Sequence, residues 1–198
     1  MEPFSNNVAY LLDVKEIESR FEPLLFSLPK QEQEAILKFV RPQDQMTSLG
    51  KFLLLHRYTP DAPLLKRENG KPYKEMGPHF SISHCYPYVV LFLLDSSCGV
   101  DIEVNDEKRV SFLLDYFDES KEEGDFPALL RWTIKESCYK AKGVGYLQPK
   151  APLLSISEDL LEYDGDVYHF HCFEIEDAYL SFASTIKFDR PLIISCEI

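Results

Sequence analysis

The segment CGVDIEV, Cys98 to Val104, sets two carboxylates, Asp101 and Glu103, two residues apart inside a short apolar run. Alternate side chains of a strand share a face, so both acids look one way while Val100, Ile102 and Val104 look the other. A carboxylate taken out of water is stable only when solvated, paired with a base or bound to a metal. Farther along, Glu136 and Lys140 fall four residues apart in RWTIKESCYKAKG, in the favourable acid-before-base order of a helix. Alone, that pair reads as a surface ion pair. Combined with Asp101 and Glu103, Glu136 would complete a hard-oxygen set suited to Mg²⁺, which takes a few carboxylates together with waters and phosphate oxygens.

These residues need elements to hold them. VAYLLDV reads as a first strand, and PKQEQEAILKFV as a helix stopped before Pro42. QDQMTSLGKFLLLHRY repeats apolar residues at helical spacing and ends at TPDAP. A turn at NGKPY leads into HFSIS, YVVLFLLD and GVDIEV, which read as an antiparallel meander. Asp125 as N-cap and Pro127 in the first turn open a helix that closes at Gly143, with Leu130, Ile134, Cys138 and Ala141 on its core face. EDLLEYDGDVYHFHCFEI, YLSFASTIKF and PLIISCEI supply the remaining strands. The expected class is α+β, with two similar halves, 1–96 and 97–198, the second carrying the acids.

Composition narrows the options. With 198 residues, 45% of them hydrophobic, the chain can bury a substantial core. No run is long enough to span a membrane and MEPFSNN lacks the features of a secretory signal, so a soluble cytoplasmic protein is expected. Five scattered cysteines, none in a CxxC pair, read as buried thiols. The net charge of −12 argues against a broad nucleic-acid surface. An anionic ligand must therefore meet a local basic patch, and two exist: Lys66, Arg67, Lys71 and Lys74, then Arg131, Lys135, Lys140 and Lys142.

Taken together, Gly70-Lys71-Pro72, FSISH (Phe80 to His84), GVDIE (Gly99 to Glu103) and WTIKESCYKAKG (Trp132 to Gly143) resemble, in order and separation, the phosphopantetheinyl transferases of the surfactin-synthetase-activating type. The resemblance implies a pseudo-twofold α+β fold, coenzyme A in the cleft between the halves, and transfer of its phosphopantetheine arm to a serine of an acyl or peptidyl carrier protein. It further implies that Asp101, Glu103 and Glu136 hold Mg²⁺, and that Lys140, Ser83 and His84 contact phosphates. Lys71 would steady the nucleotide, and Lys38, Arg41 and Thr47 would meet its ribose phosphate. Met46 departs from the arginine that relatives place before that threonine, with Arg41 or Arg57 as possible substitutes. Catalysis would fall to Glu136, Lys140 and His84, in a chain expected to act as a monomer.

Simpler readings stand beside these. Ser81 and Ser83 fit the solvated side of a half-buried strand, and His84 a strand-end histidine. His169 and His171 are spaced for zinc but have no further ligand cluster nearby, and Ser137 lacks a nucleophile elbow. The acid run FDESKEEGDF would repel an acidic carrier, which places carrier docking near Arg131 and Lys142. A metal-dependent nuclease or phosphohydrolase, or a non-catalytic relative of the fold, are the rival functions.

Overall fold

A computed structural model describes residues 7–68, 70–106, 108, 126–143, 155–156, 159–163 and 166–198. Strand β1 (Val8–Asp13) runs into a 3₁₀ segment (Val14–Arg20), then helices α1 (Phe21–Ser27), α2 (Lys30–Leu37) and α3 (Pro42–Tyr58). Pro42 occupies the first turn of α3, where its missing N–H costs nothing, so it opens a helix as well as excluding one upstream. The 3₁₀ segment and α1 fall between the first strand and the first helix read from the sequence.

Short strands β2 (Leu65–Lys66) and β3 (Pro72–Tyr73) pair as a ribbon, followed by β4 (His79–Cys85), β5 (Tyr88–Leu94) and β6 (Cys98–Val104). Helix α4 (Ala128–Lys142) precedes β7 (Ser155–Ile156), β8 (Leu160–Tyr163), β9 (Asp166–Ile175), β10 (Ala178–Ser184) and β11 (Leu192–Ser195). The anticipated N-cap Asp125, the acid run before it and the turn at 164–165 lie outside the described residues.

One sheet has the order β11-β1-β5-β4 and the other β6-β10-β9-β8-β7. In each half the first strand pairs antiparallel with the last of a later hairpin: β1 with β5, which pairs β4, and β6 with β10, which pairs β9. The two halves thus share one topology, as expected for the α+β class. The meander does not form as anticipated. β6 leaves β4 and β5 after the Ser96–Ser97 turn and takes its ladder from β10, because its apolar face, Val100 and Ile102, packs between the sheets.

The core is layered accordingly. Phe80, Val89, Leu91 and Leu93 meet the helices α1 to α3 on the outer face of the first sheet. Val90, Phe92 and Leu94 meet Val100, Ile102, Leu180 and Phe182 between the sheets. Leu130, Ile134, Cys138 and Ala141 of α4 cover Tyr168, Phe170 and Ala183, the core face read from the sequence. Strand β11 returns from the second half to pair parallel with β1. All five cysteines are free thiols, four of them buried, and no helix among the described residues is long and apolar enough to cross a membrane.

Candidate active site

Gly99 explains how a strand and a helix come close enough to share a site. A Cβ at that position would overlap the Ser137 carbonyl oxygen and lie 2.6 Å from the Ala141 nitrogen, so only glycine lets α4 settle directly on β6. That contact sets Glu136 and Lys140 over the face of β6 that carries Asp101 and Glu103. The other face of β6 goes to the core, as the alternation requires.

Strand β4 forms the opposite wall. Its alternate residues reach β6 through side chains: Ser81 Oγ accepts from the Val100 N–H at 3.1 Å, Ser83 Oγ donates to Asp101 Oδ1 at 2.8 Å, and Cys85 Sγ accepts from the Val104 N–H at 3.3 Å. Ser81 and Ser83 are therefore buried linkers, not the solvated side of a strand. Two β-strands that share no ladder are stitched by hydroxyls and a thiol, leaving a gap between the halves. A cleft of about 480 Å³ occupies that gap, and its walls include Lys71, Ser83, His84, Asp101, Glu103, Glu136 and Lys140.

The electrostatics are unbalanced in an informative way. Lys140 Nζ donates to Asp101 Oδ1 at 2.6 Å and to Ser83 Oγ at 2.9 Å, so its ion pair is with Asp101 and not with Glu136 one turn before it. Asp101 Oδ2 and Glu136 Oε1 are buried with no hydrogen-bond partner. Burial, and then the Asp101 charge, push the Glu136 carboxyl up to about 7, with Lys140 opposing. Desolvation, followed by the ammonium groups of Lys51 and Lys140, holds His84 down at about 4, so the ring at the open cleft wall is neutral at neutral pH. Orphaned carboxylate oxygens in a low-dielectric site are costly until something positive or protonated meets them.

A divalent cation fits those two oxygens, both hard donors. Among the described residues, however, no three His, Cys, Asp or Glu side chains converge into a ready-made metal cluster. Lys140 occupies Asp101 Oδ1 and leaves Oδ2 open.

Other residues singled out by sequence sit differently. Lys71 Nζ donates to the carbonyls of Cys98 at 2.8 Å and Lys140 at 2.6 Å, tying the Gly-Lys-Pro loop to the C-terminal end of α4, and burial lowers its pKa. Lys38, Arg41 and Thr47 are not among the cleft-lining residues. Lys38 and Arg41 are exposed, Arg41 pairs with Asp44 at 2.8 Å, and the buried Thr47 hydroxyl donates to its own helix at Gln43 O and Asp44 O. Met46 is packed in the core, and Arg57 donates to the Glu197 carbonyl, so Arg57 is directed to the C-terminus. Arg131 is buried, which removes it as a docking charge, and Lys142 pairs with Asp166 at 2.7 Å. Ser137 is sealed between Ile134 O and Ser181 Oγ, a structural role. His171 Nε2 lies 3.0 Å from Phe188 O. Sequence reasoning missed the linking role of Ser81, which only its place two residues before Ser83 on the same strand face signalled.

No protein-family model matches the chain. It is similar to the 4'-phosphopantetheinyl transferase gsp of Aneurinibacillus migulanus, 31% identical over 148 residues. The matched region is 65% of this chain and spans 62% of that protein. The name of that protein agrees with the resemblance carried by the four motif blocks, and the chain spans about three fifths of its length.

Proposed function

We propose that this protein transfers the phosphopantetheine arm of coenzyme A to a serine of an acyl or peptidyl carrier protein, with Mg²⁺ held by Asp101, Glu103 and Glu136. The observation that carries the reading is the pair of buried, unpartnered oxygens, Asp101 Oδ2 and Glu136 Oε1, facing one cleft with Lys140 between them and Ser83. Bound Mg²⁺ would neutralise pyrophosphate charge and so assist departure of the nucleotide.

The residues of the chain divide the remaining work. Lys140 is placed to move from Asp101 toward the pyrophosphate, where its charge stabilises the oxygens that gain electron density. Glu136, whose Oε1 is buried without a partner beside Lys140 and Asp101, accepts the proton of the incoming serine hydroxyl. The serine oxygen then bonds to the phosphorus bearing the arm, and the bond to the departing adenosine bisphosphate breaks. Lys71 holds the Gly-Lys-Pro loop against α4, which fixes the width of the cleft. His84, neutral, offers a hydrogen bond to a phosphate rather than a charge.

A metal-dependent phosphohydrolase would use the same acids, and the sequence similarity favours the transferase over it. The deciding experiment is intact-protein mass spectrometry of an apo carrier protein incubated with coenzyme A and Mg²⁺. A gain of the phosphopantetheine mass, lost with Glu136→Ala or Glu103→Ala, is expected. Release of free phosphopantetheine to water without a modified carrier would instead identify a hydrolase.

A further inference from the structure

The C-terminal end of α4 is closed by side chains that come from outside the helix. A helix leaves the carbonyls of its last turn without intrahelical donors, and a buried end must find others. The Tyr139 carbonyl accepts from the Gly143 N–H at 2.9 Å, in a left-handed turn at φ 75°, and the Lys140 carbonyl accepts from Lys71 Nζ at 2.6 Å. The Ala141 carbonyl accepts from Ser97 Oγ, also at 2.6 Å. Ser97 is half-buried in the turn that joins the two halves, between β5 and β6, and it is not one of the residues that wall the cleft.

Ser97 is itself anchored. Its carbonyl accepts at 2.8 Å from the hydroxyl of Ser184, the fully buried last residue of β10. The next carbonyl, that of Cys98, accepts from the same Lys71 ammonium at 2.8 Å. Two residues beyond Ser97, Gly99 lets Ser137 and Ala141 rest directly on β6. That contact sets the depth at which α4 lies on the strand. The Ser97 hydroxyl and the Lys71 ammonium set its position along the axis, where each residue advances about 1.5 Å. Lys140, whose carbonyl Lys71 holds, sends its side chain to Asp101 and Ser83, and Glu136 lies one turn before it. An axial slip of α4 therefore changes the separation of Glu136 from Asp101.

We propose that Ser97 is a positioning residue for the acids of the cleft: its hydroxyl, together with the Lys71 ammonium, fixes α4 along β6 and holds Glu136 where it can share a cation with Asp101. The role rests on the transferase reading for the cation and the reaction it serves. It gives the turn between the halves a part in chemistry that the turn does not touch.

The test uses three variants of the full chain. Ser97→Ala removes the cap and Ser97→Thr keeps the hydroxyl. Tyr88→Phe removes a hydrogen bond between the halves that does not involve α4, from Tyr88 Oη to Glu176 Oε2 at 2.7 Å. Each is measured for Tm, for coenzyme A affinity without metal and Mg²⁺ affinity with coenzyme A by calorimetry, and for kcat of carrier modification by mass spectrometry. Loss of a group that orients metal-binding side chains without touching the metal typically costs about ten- to a hundredfold. Ser97→Ala should keep coenzyme A affinity within about twofold while Mg²⁺ affinity and kcat each fall at least about tenfold. Ser97→Thr should recover most of both, and Tyr88→Phe should lower Tm without moving either. Unchanged Mg²⁺ affinity in Ser97→Ala, an equal loss in Tyr88→Phe, or no recovery in Ser97→Thr overturns the assignment. Ser97-dependent Mg²⁺ binding in a protein that modifies no carrier removes the transferase reading and leaves the positioning role standing. Carrier modification with Ser97-independent Mg²⁺ binding does the reverse.

Discussion

Glu136 and Lys140 are separated by one helical turn, yet the structure gives Lys140 to Asp101 and leaves Glu136 Oε1 without a partner. The consequence is a carboxyl whose pKa is raised to about 7 in the metal-free protein, against an unfolded value near 4.5. Between those values the folded state binds more protons than the unfolded chain, so this group's contribution to stability is present at low pH and is lost as pH rises through about 7. Glu136→Gln, which keeps the shape and removes the charge, should therefore match wild-type Tm near pH 4 and exceed it near pH 8 without metal. A wild-type Tm equal to that of the variant at both pH values would refute the assignment. At this scale much was legible. The motif spacing placed Asp101, Glu103, Glu136, Lys140, Ser83, His84 and Lys71 in what proves to be one cleft. The partner choice of Lys140, and the burial of Arg131, depend on which way α4 is turned against β6, which no local pattern encodes.

α4 and β6 meet through Gly99, and β4 meets β6 through Ser81, so the site is held by two contacts that a sequence records only as a small residue and a serine. Gly99→Ala should cost about 3 kcal/mol, because its methyl meets backbone that cannot swing aside, and it should reduce activity in the molecules that still fold. Ser81→Ala leaves the buried Val100 N–H without its acceptor and should cost about 1–3 kcal/mol in urea denaturation. A variant at either position with an unchanged midpoint would show that the contact is dispensable. The strands and helices around these contacts followed readily from apolar period and turn residues. The sheet assignment of β6 did not, since GVDIEV fits equally as a third strand of a hairpin or as the first strand of a second sheet. Its choice of β10 is settled by a long-range ladder from Ala178 to Ser184.

Across the whole molecule, the repetition of one topology in two halves creates the cleft, and β11 binds the halves together by crossing back to β1. Deleting residues 191–198 should expose the β1 edge and remove Cys196 from the first core, giving a chain that aggregates, as size-exclusion chromatography would report. A monodisperse truncated protein with wild-type Tm would contradict that role. The architecture also makes a demand on the ligand. With Lys140 seated on Asp101 and no three metal-binding side chains converging among the described residues, the cleft should hold Mg²⁺ poorly by itself and well with a pyrophosphate in place. The most direct measurement is a calorimetric titration of Mg²⁺ into the protein with and without saturating coenzyme A, for wild type and Glu136→Gln. Binding should strengthen at least about tenfold with coenzyme A and be lost in the variant. Mg²⁺ binding that ignores both coenzyme A and Glu136 would contradict it.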